Sequence, residues 1–167
     1  MTSEIPSEWL EQLALIVSTE TPHGTRTLIE HLRGTCRLLL DWRSSREAAL
    51  AGLFHSVWGT PDYRGGTSIP CSMEFLLDAR TRVLVAEFHR LGHFGIIRTN
   101  YQDLKQAKDL FDIWLANLLE QLWDLEPELR QAIVKRDAPF VAERIKIFSP
   151  LAAAAASAVF GDSIVPR

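Results

Sequence analysis

Apolar residues recur along this chain at the three-to-four-residue spacing of helices buried on one side. Leu10, Leu13, Ala14 and Val17 mark a first helix, from about Glu8 to Thr19, with Ser7 as its cap. Thr21-Pro22-His23-Gly24 breaks it. A second helix, from about Thr25 to Trp42, buries Leu28, Leu32, Thr35, Cys36 and Leu39, and His31 lies one step from that stripe. Arg43-Ser44-Ser45 turns the chain. Leu50, Leu53, Phe54 and Val57 then trace a third helix that stops at Gly59. Cys71 to about Leu91 reads as a fourth, on a line through Leu76, Ala79, Val83, Ala86 and Arg90, closed by Gly92 and Gly95. The fifth, from about Tyr101 to Asp124, carries Leu104, Ala107, Leu110, Phe111, Trp114, Leu118 and Leu122. Pro127, Pro139 and Pro150 each suit the first turn of a shorter helix, at about 126–135, 139–147 and 150–160. No stretch alternates with the period of a strand. The pattern predicts an all-α, single-domain bundle of about seven to eight helices.

Composition narrows the partners. A chain of 167 residues suits one domain, and 47% hydrophobic with 23% charged residues is ordinary for a globular protein. A net charge of -3 argues against nucleic acid and membrane surfaces as partners. The most apolar tract, Leu151 to Phe160, is about half a membrane span and reads as a core helix. Cys36 and Cys71 form no ligand motif, which fits a reducing cytoplasm. Met1-Thr2-Ser3-Glu4 lacks the basic and apolar regions of a signal peptide, so none is expected. The oligomeric state is left open, a homodimer included.

The candidate chemistry gathers on histidines. His31 and His55 belong to consecutive helices joined by a short turn, so their imidazoles can converge, and His23 stands at the mouth of the second helix. Gly59 to Pro70 is the longest irregular stretch, and long ordered loops commonly carry function. It leaves directly from the helix bearing His55, which makes 61–70 a candidate lid. Trp58 then walls the pocket, and Tyr63 and Arg64 are placed to meet an anionic substrate, as is Arg98. His89 and His93, four apart across Gly92, read as structural or exposed.

His31, followed twenty-four residues later by His55 inside Ala51-Gly52-Leu53-Phe54-His55-Ser56, resembles the HD superfamily of metal-dependent phosphohydrolases. The hydrolase domain of the bifunctional stringent-response enzymes is similar in this respect. More specifically, the chain resembles an uncharacterised HD-related family. The matching segments are His23, His31-Leu32-Arg33-Gly34-Thr35, Leu38-Leu39, Trp42, Ala51 to Ser56, Gly59-Thr60 and Ala116-Asn117-Leu118-Leu119-Glu120-Gln121. The resemblance implies a divalent cation held by two histidines and two aspartates. Here the aspartate places hold Ser56 and Asn117, so the implied metal site is degenerate. A Glu-Asp pair that serves the attacking water in the stringent-response hydrolases is replaced by Gly59-Thr60.

Without a metal, His31 and His55 serve as acid–base groups near neutral pKa, and His23, Ser56, Trp58, Tyr63, Arg64 and Asn117 bind a small-molecule substrate. The alternative is zinc, iron or manganese on His31 and His55, with His23 as a third histidine and Asp62, Glu30 or Glu87 as a carboxylate source. The expected function is an enzyme for a small polar or anionic metabolite, by acid–base or weakly metal-assisted chemistry. The competing class is an inactive binding or sensor module that keeps the pocket.

Overall fold

A computed structural model of the chain describes residues 4–17, 22–23, 25–57 and 76–161. Seven helices are bounded among these: α1 Ser7–Ala14, α2 Leu28–Asp41, α3 Arg46–Phe54, α4 Ala79–Arg98, α5 Leu104–Leu122, α6 Pro127–Arg144 and α7 Pro150–Phe160. The one ladder among the described residues pairs β1, Pro22–His23, with β2, Arg26–Thr27, antiparallel and two residues long. The fold is all-α. Trp58, Tyr63, Arg64 and the whole candidate lid, 61–70, lie outside the described residues, as do Asp62 and Cys71.

Local chemistry starts most of these helices. Thr27 opens α2 through a capping box, its hydroxyl accepting from the Glu30 N–H while the Glu30 carboxylate takes the Thr27 N–H at 2.9 Å. Ser45, Asp78, Asp103 and Ser149 cap α3, α4, α5 and α7 with side-chain oxygens. Each such cap contributes about 1 kcal/mol.

Helix α5 is the axis of the bundle. Every residue from Asp109 to Glu120 is buried, the signature of a helix covered on all sides. α2, α3, α4 and α7 all pack against it. Its buried acids are spoken for: Asp109 accepts from Ser45 and Arg80, and Asp112 from Ser44, Lys108 and the Ser149 N–H. These bonds pin the starts of α3 and α7 to the central helix.

The α2 stripe is buried as predicted, with His31 added to it. Other expectations need correction. α1 stops at Ala14, although Val17 beyond it is still buried. α4 starts at an Asp78 cap rather than running from Cys71, and the new register buries Thr81, Leu84, Val85 and Phe88 while Val83 is half exposed. Gly92 breaks its path at φ 61, ψ -176, yet the chain re-enters helix and continues to Arg98. The two helices predicted at 126–135 and 139–147 are one, α6, with Pro139 inside it. Proline already has a helical φ and removes one backbone bond. Burial of Asp137, Ala138 and Val141 on either side holds the helix together across that gap. Among the described residues no helix is long and apolar enough to cross a membrane.

Candidate functional site

α2, α3 and α5 each deliver one polar side chain to a common point. His31 comes from the first turn of α2, His55 from the C-cap of α3, and Asn117 from the middle of α5. His31 Nε2 and His55 Nε2 both lie 2.9 Å from Asn117 Oδ1, and 3.3 Å from each other. The two imidazoles are 1% and 0% exposed. The convergence of His31 and His55 expected from sequence is therefore met, and Asn117 joins them.

The far side of each ring is anchored. His55 Nδ1 lies 2.7 Å from the Gly52 carbonyl oxygen, which can only accept, so Nδ1 carries the hydrogen. His31 Nδ1 donates to the Glu120 carboxylate. That carboxylate is itself gripped by Arg26, whose Nη1 lies 2.5 Å from Oε1, and Arg26 Nε reaches Asp124. With its Nδ1 protonated, the neutral His55 ring turns a lone pair toward Asn117 Oδ1, and His31 Nε2 faces the same oxygen.

Burial, and then the neighbouring His31, push the His55 imidazole down to about 3. The expectation of two imidazoles titrating near neutrality fails at His55. It stays neutral across the range in which most proteins work, so it is a poor proton carrier but keeps its lone pair. His23 stacks on His31, ring centroids 4.4 Å apart and 28° between planes. Burial and His31 lower its pKa too.

Of these groups, His23 and Asn117 line a cleft of about 430 Å³, with Ser56, Phe88, His93, Phe94, Leu118, Gln121, Ile133 and Arg136. Ser56 and Asn117 thus line the same cleft. Of the carboxylate candidates within the described residues, Glu30 is used in the α2 cap and Glu87 pairs with Arg90. Arg98 stacks on Phe94 and Phe140, at 5.3 and 5.0 Å, instead of entering the cleft lining.

Glu120 is the site residue that the sequence reading passed over. It follows Asn117 by three on one helix, so the two share a face. That spacing was a usable signal. His93 and Arg136 had none, because Gly92 turns His93 away from its i−4 neighbour and α6 arrives from a distant part of the chain.

Among the described residues no group of three or more His, Cys, Asp or Glu side chains forms a metal-binding cluster. The set here is two imidazoles and an amide oxygen. A family model described as "Domain of unknown function (DUF6817)" matches residues 12–85. That span includes His23, His31, His55 and Ser56, and leaves out Asn117 and Glu120. No curated protein and no solved structure matches the chain.

Proposed function

We propose that this chain is a small-molecule enzyme of the metal-assisted hydrolase type, built on an HD-like plan and acting on a small polar or anionic metabolite. The observation that carries the reading is the triangle of His31 Nε2, His55 Nε2 and Asn117 Oδ1, with sides of 2.9, 2.9 and 3.3 Å. With both rings neutral these are three buried acceptors, which repel one another unless something positive lies between them. First-row divalent cations bind such donors at about 2.0–2.2 Å, which sets neighbouring donors roughly 3 Å apart.

The surroundings fit as well. Histidines that ligate metals characteristically give their other N–H to a carboxylate or a carbonyl. Glu120 and Gly52 take those parts for His31 and His55. The residues that would hold the cation are therefore His31, His55 and Asn117, and zinc or iron suits their imidazole-rich set better than manganese. A cation there would supply Lewis acidity toward the substrate and lower the pKa of water at neutral pH. Glu120 keeps His31 in one tautomer and orientation. Arg26 in turn fixes Glu120. His23 and Ser56 stand in the cleft wall where substrate polar atoms would meet them.

A second reading draws on the amide itself. Rotated by half a turn, Asn117 would present its NH2 to both Nε2 atoms and close the triangle without a cation. That version is a metal-free binding module. Calorimetric titration of chelator-treated protein with Zn²⁺, Mn²⁺ and Fe²⁺ separates the two. One-to-one binding that disappears in His31→Gln and His55→Gln, with hydrolysis of generic phosphate esters by the loaded protein, is the expected result. No binding of any of the three cations removes the enzyme reading in this form.

A further inference from the structure

The histidines of the triangle leave the cleft without a proton carrier. Both nitrogens of His31 and both of His55 are engaged, and neither ring is among the described residues that line the cleft. The imidazoles that do line it are His23 and His93.

His93 follows the Gly92 bend of α4 and reaches across to α6. Its Nε2 lies 3.1 Å from Oδ2 of Asp137, a fully buried carboxylate. Arg136 is committed to the same group, with Nε 2.8 Å from Oδ1 and Nη2 2.9 Å from Oδ2. Burial alone would raise the Asp137 carboxyl. The bonds from Arg136 and His93 outweigh it and hold the group below its ordinary value. Asp137 is therefore an anion at neutral pH and can only accept, so His93 Nε2 carries the hydrogen. Arg136 Nη2 lies 3.3 Å from that nitrogen as the second donor on Oδ2.

The lone pair of the neutral ring is then on Nδ1, which no hydrogen bond engages among the described residues. Phe94 and Trp114 pack on the imidazole, centroids 5.2 and 5.1 Å away, and restrict its turning. The side chain is 16% exposed, so a small molecule in the cleft can reach it. A carboxylate behind an imidazole and a bare nitrogen in front are what a general base requires. His23 is the weaker candidate, because it stacks on His31 and burial lowers its pKa. Asn117 follows Trp114 by three residues on α5, which advances the helix by about 4.5 Å, so one molecule can lie between His93 and the triangle.

We infer that His93 is the general base of this cleft and that Asp137 is its positioning residue. Nδ1 takes a proton from a water beside the substrate, and the O–H electrons stay on the oxygen as it attacks. The imidazolium so formed faces the Asp137 carboxylate through Nε2–H until Nδ1 returns the proton to solvent. The inference rests on the enzyme reading above and deepens it by naming the base, which itself needs no cation.

The test follows ring opening of nitrobenzisoxazole by the full chain in EDTA. A base removes the ring C–H proton, the N–O bond breaks, and its electrons leave on a phenolate oxygen, all without a metal. The wild type should accelerate this reaction saturably. His93→Gln should lower kcat by about 10²-fold, the low end of what a positioned base contributes. His23→Gln should keep most of the rate. Asp137→Asn should lower kcat about tenfold with KM little changed. Long-range proton–nitrogen spectra should show its His93 ring moving from the wild-type Nε2–H form toward the Nδ1–H form. A wild-type rate equal to buffer, full activity in His93→Gln, loss in His23→Gln instead, or an Nδ1–H ring in the wild type each overturns the inference. The wild-type rate and spectrum can be read even where a variant fails to fold. Ring opening without cation binding would keep the base and remove the metal, and cation binding without ring opening would do the reverse.

Discussion

Gly34 makes room for Glu120. A Cβ at Gly34 would stand 2.5 Å from Glu120 Oε1 and 2.7 Å from its Cγ, closer than real Cβ atoms approach. Gly34 sits three residues after His31 on α2, so its missing side chain opens the path by which the α5 carboxylate reaches the α2 imidazole. The glycine costs helix propensity and gives the site its outer support.

Gly34→Ala should therefore displace Glu120 from His31 while leaving the fold in place. Alanine gains about 1 kcal/mol of helix propensity, which offsets part of the crowding. Loss of an outer partner of a ligating histidine lowers metal affinity by about 10–100-fold. Cation titrations alongside thermal melts check this. Unchanged affinity in a folded variant would deny Glu120 any part in holding His31.

Gly52 should resist substitution for a different reason. A Cβ there would fall 2.2 Å from Leu39 Cδ1, at the contact between α2 and α3. Overpacking of a filled core costs about 1–3 kcal/mol. Gly52→Ala should lower the unfolding free energy by that much, and it should disturb the carbonyl that receives His55 Nδ1–H. Wild-type stability in denaturant titration would mean that Leu39 yields freely.

Ser56→Asp with Asn117→Asp would place two carboxylates beside the imidazoles. The double variant should bind Mn²⁺ or Zn²⁺ at least about tenfold more tightly than the wild type, because carboxylate is the harder and charged donor. Equal affinities by calorimetry would show that the neutral pair already suffices.

Acid should unfold the metal-free protein through His55. Its pKa falls from 6.5 to about 3 on folding. Above pH 6.5 neither state binds the proton, and the full stability is present. Below it the unfolded chain takes a proton that the native imidazole refuses, so stability is lost progressively from about pH 6.5 down toward 3. The slope from this one group is at most about 1.4 kcal/mol per pH unit. Melts in EDTA between pH 7.5 and 5 should show the midpoint falling, with a shallower fall in His55→Gln. Parallel curves would place the acid sensitivity elsewhere.

The sequence by itself determined the all-α class and the meeting of two histidines. Periodicity reports which side of a helix is buried, and the stripe of α2 was strong enough to read directly, whereas Leu104 of the expected α5 stripe is exposed and the middle of α5 is covered all round. His31 and His55 were legible because a four-residue turn joins their helices, leaving the chain little choice of where to bring them. Tertiary structure decided the rest. Glu120 meets His31 across 89 positions, and only packing of α5 against α2 through the notch at Gly34 brings them together. Arg136 meets His93 across 43 positions, after Gly92 has turned the α4 backbone. Local pattern fixes which face of an element is apolar. It carries no record of the partner that face will meet, because that choice is made by shape complementarity between distant surfaces.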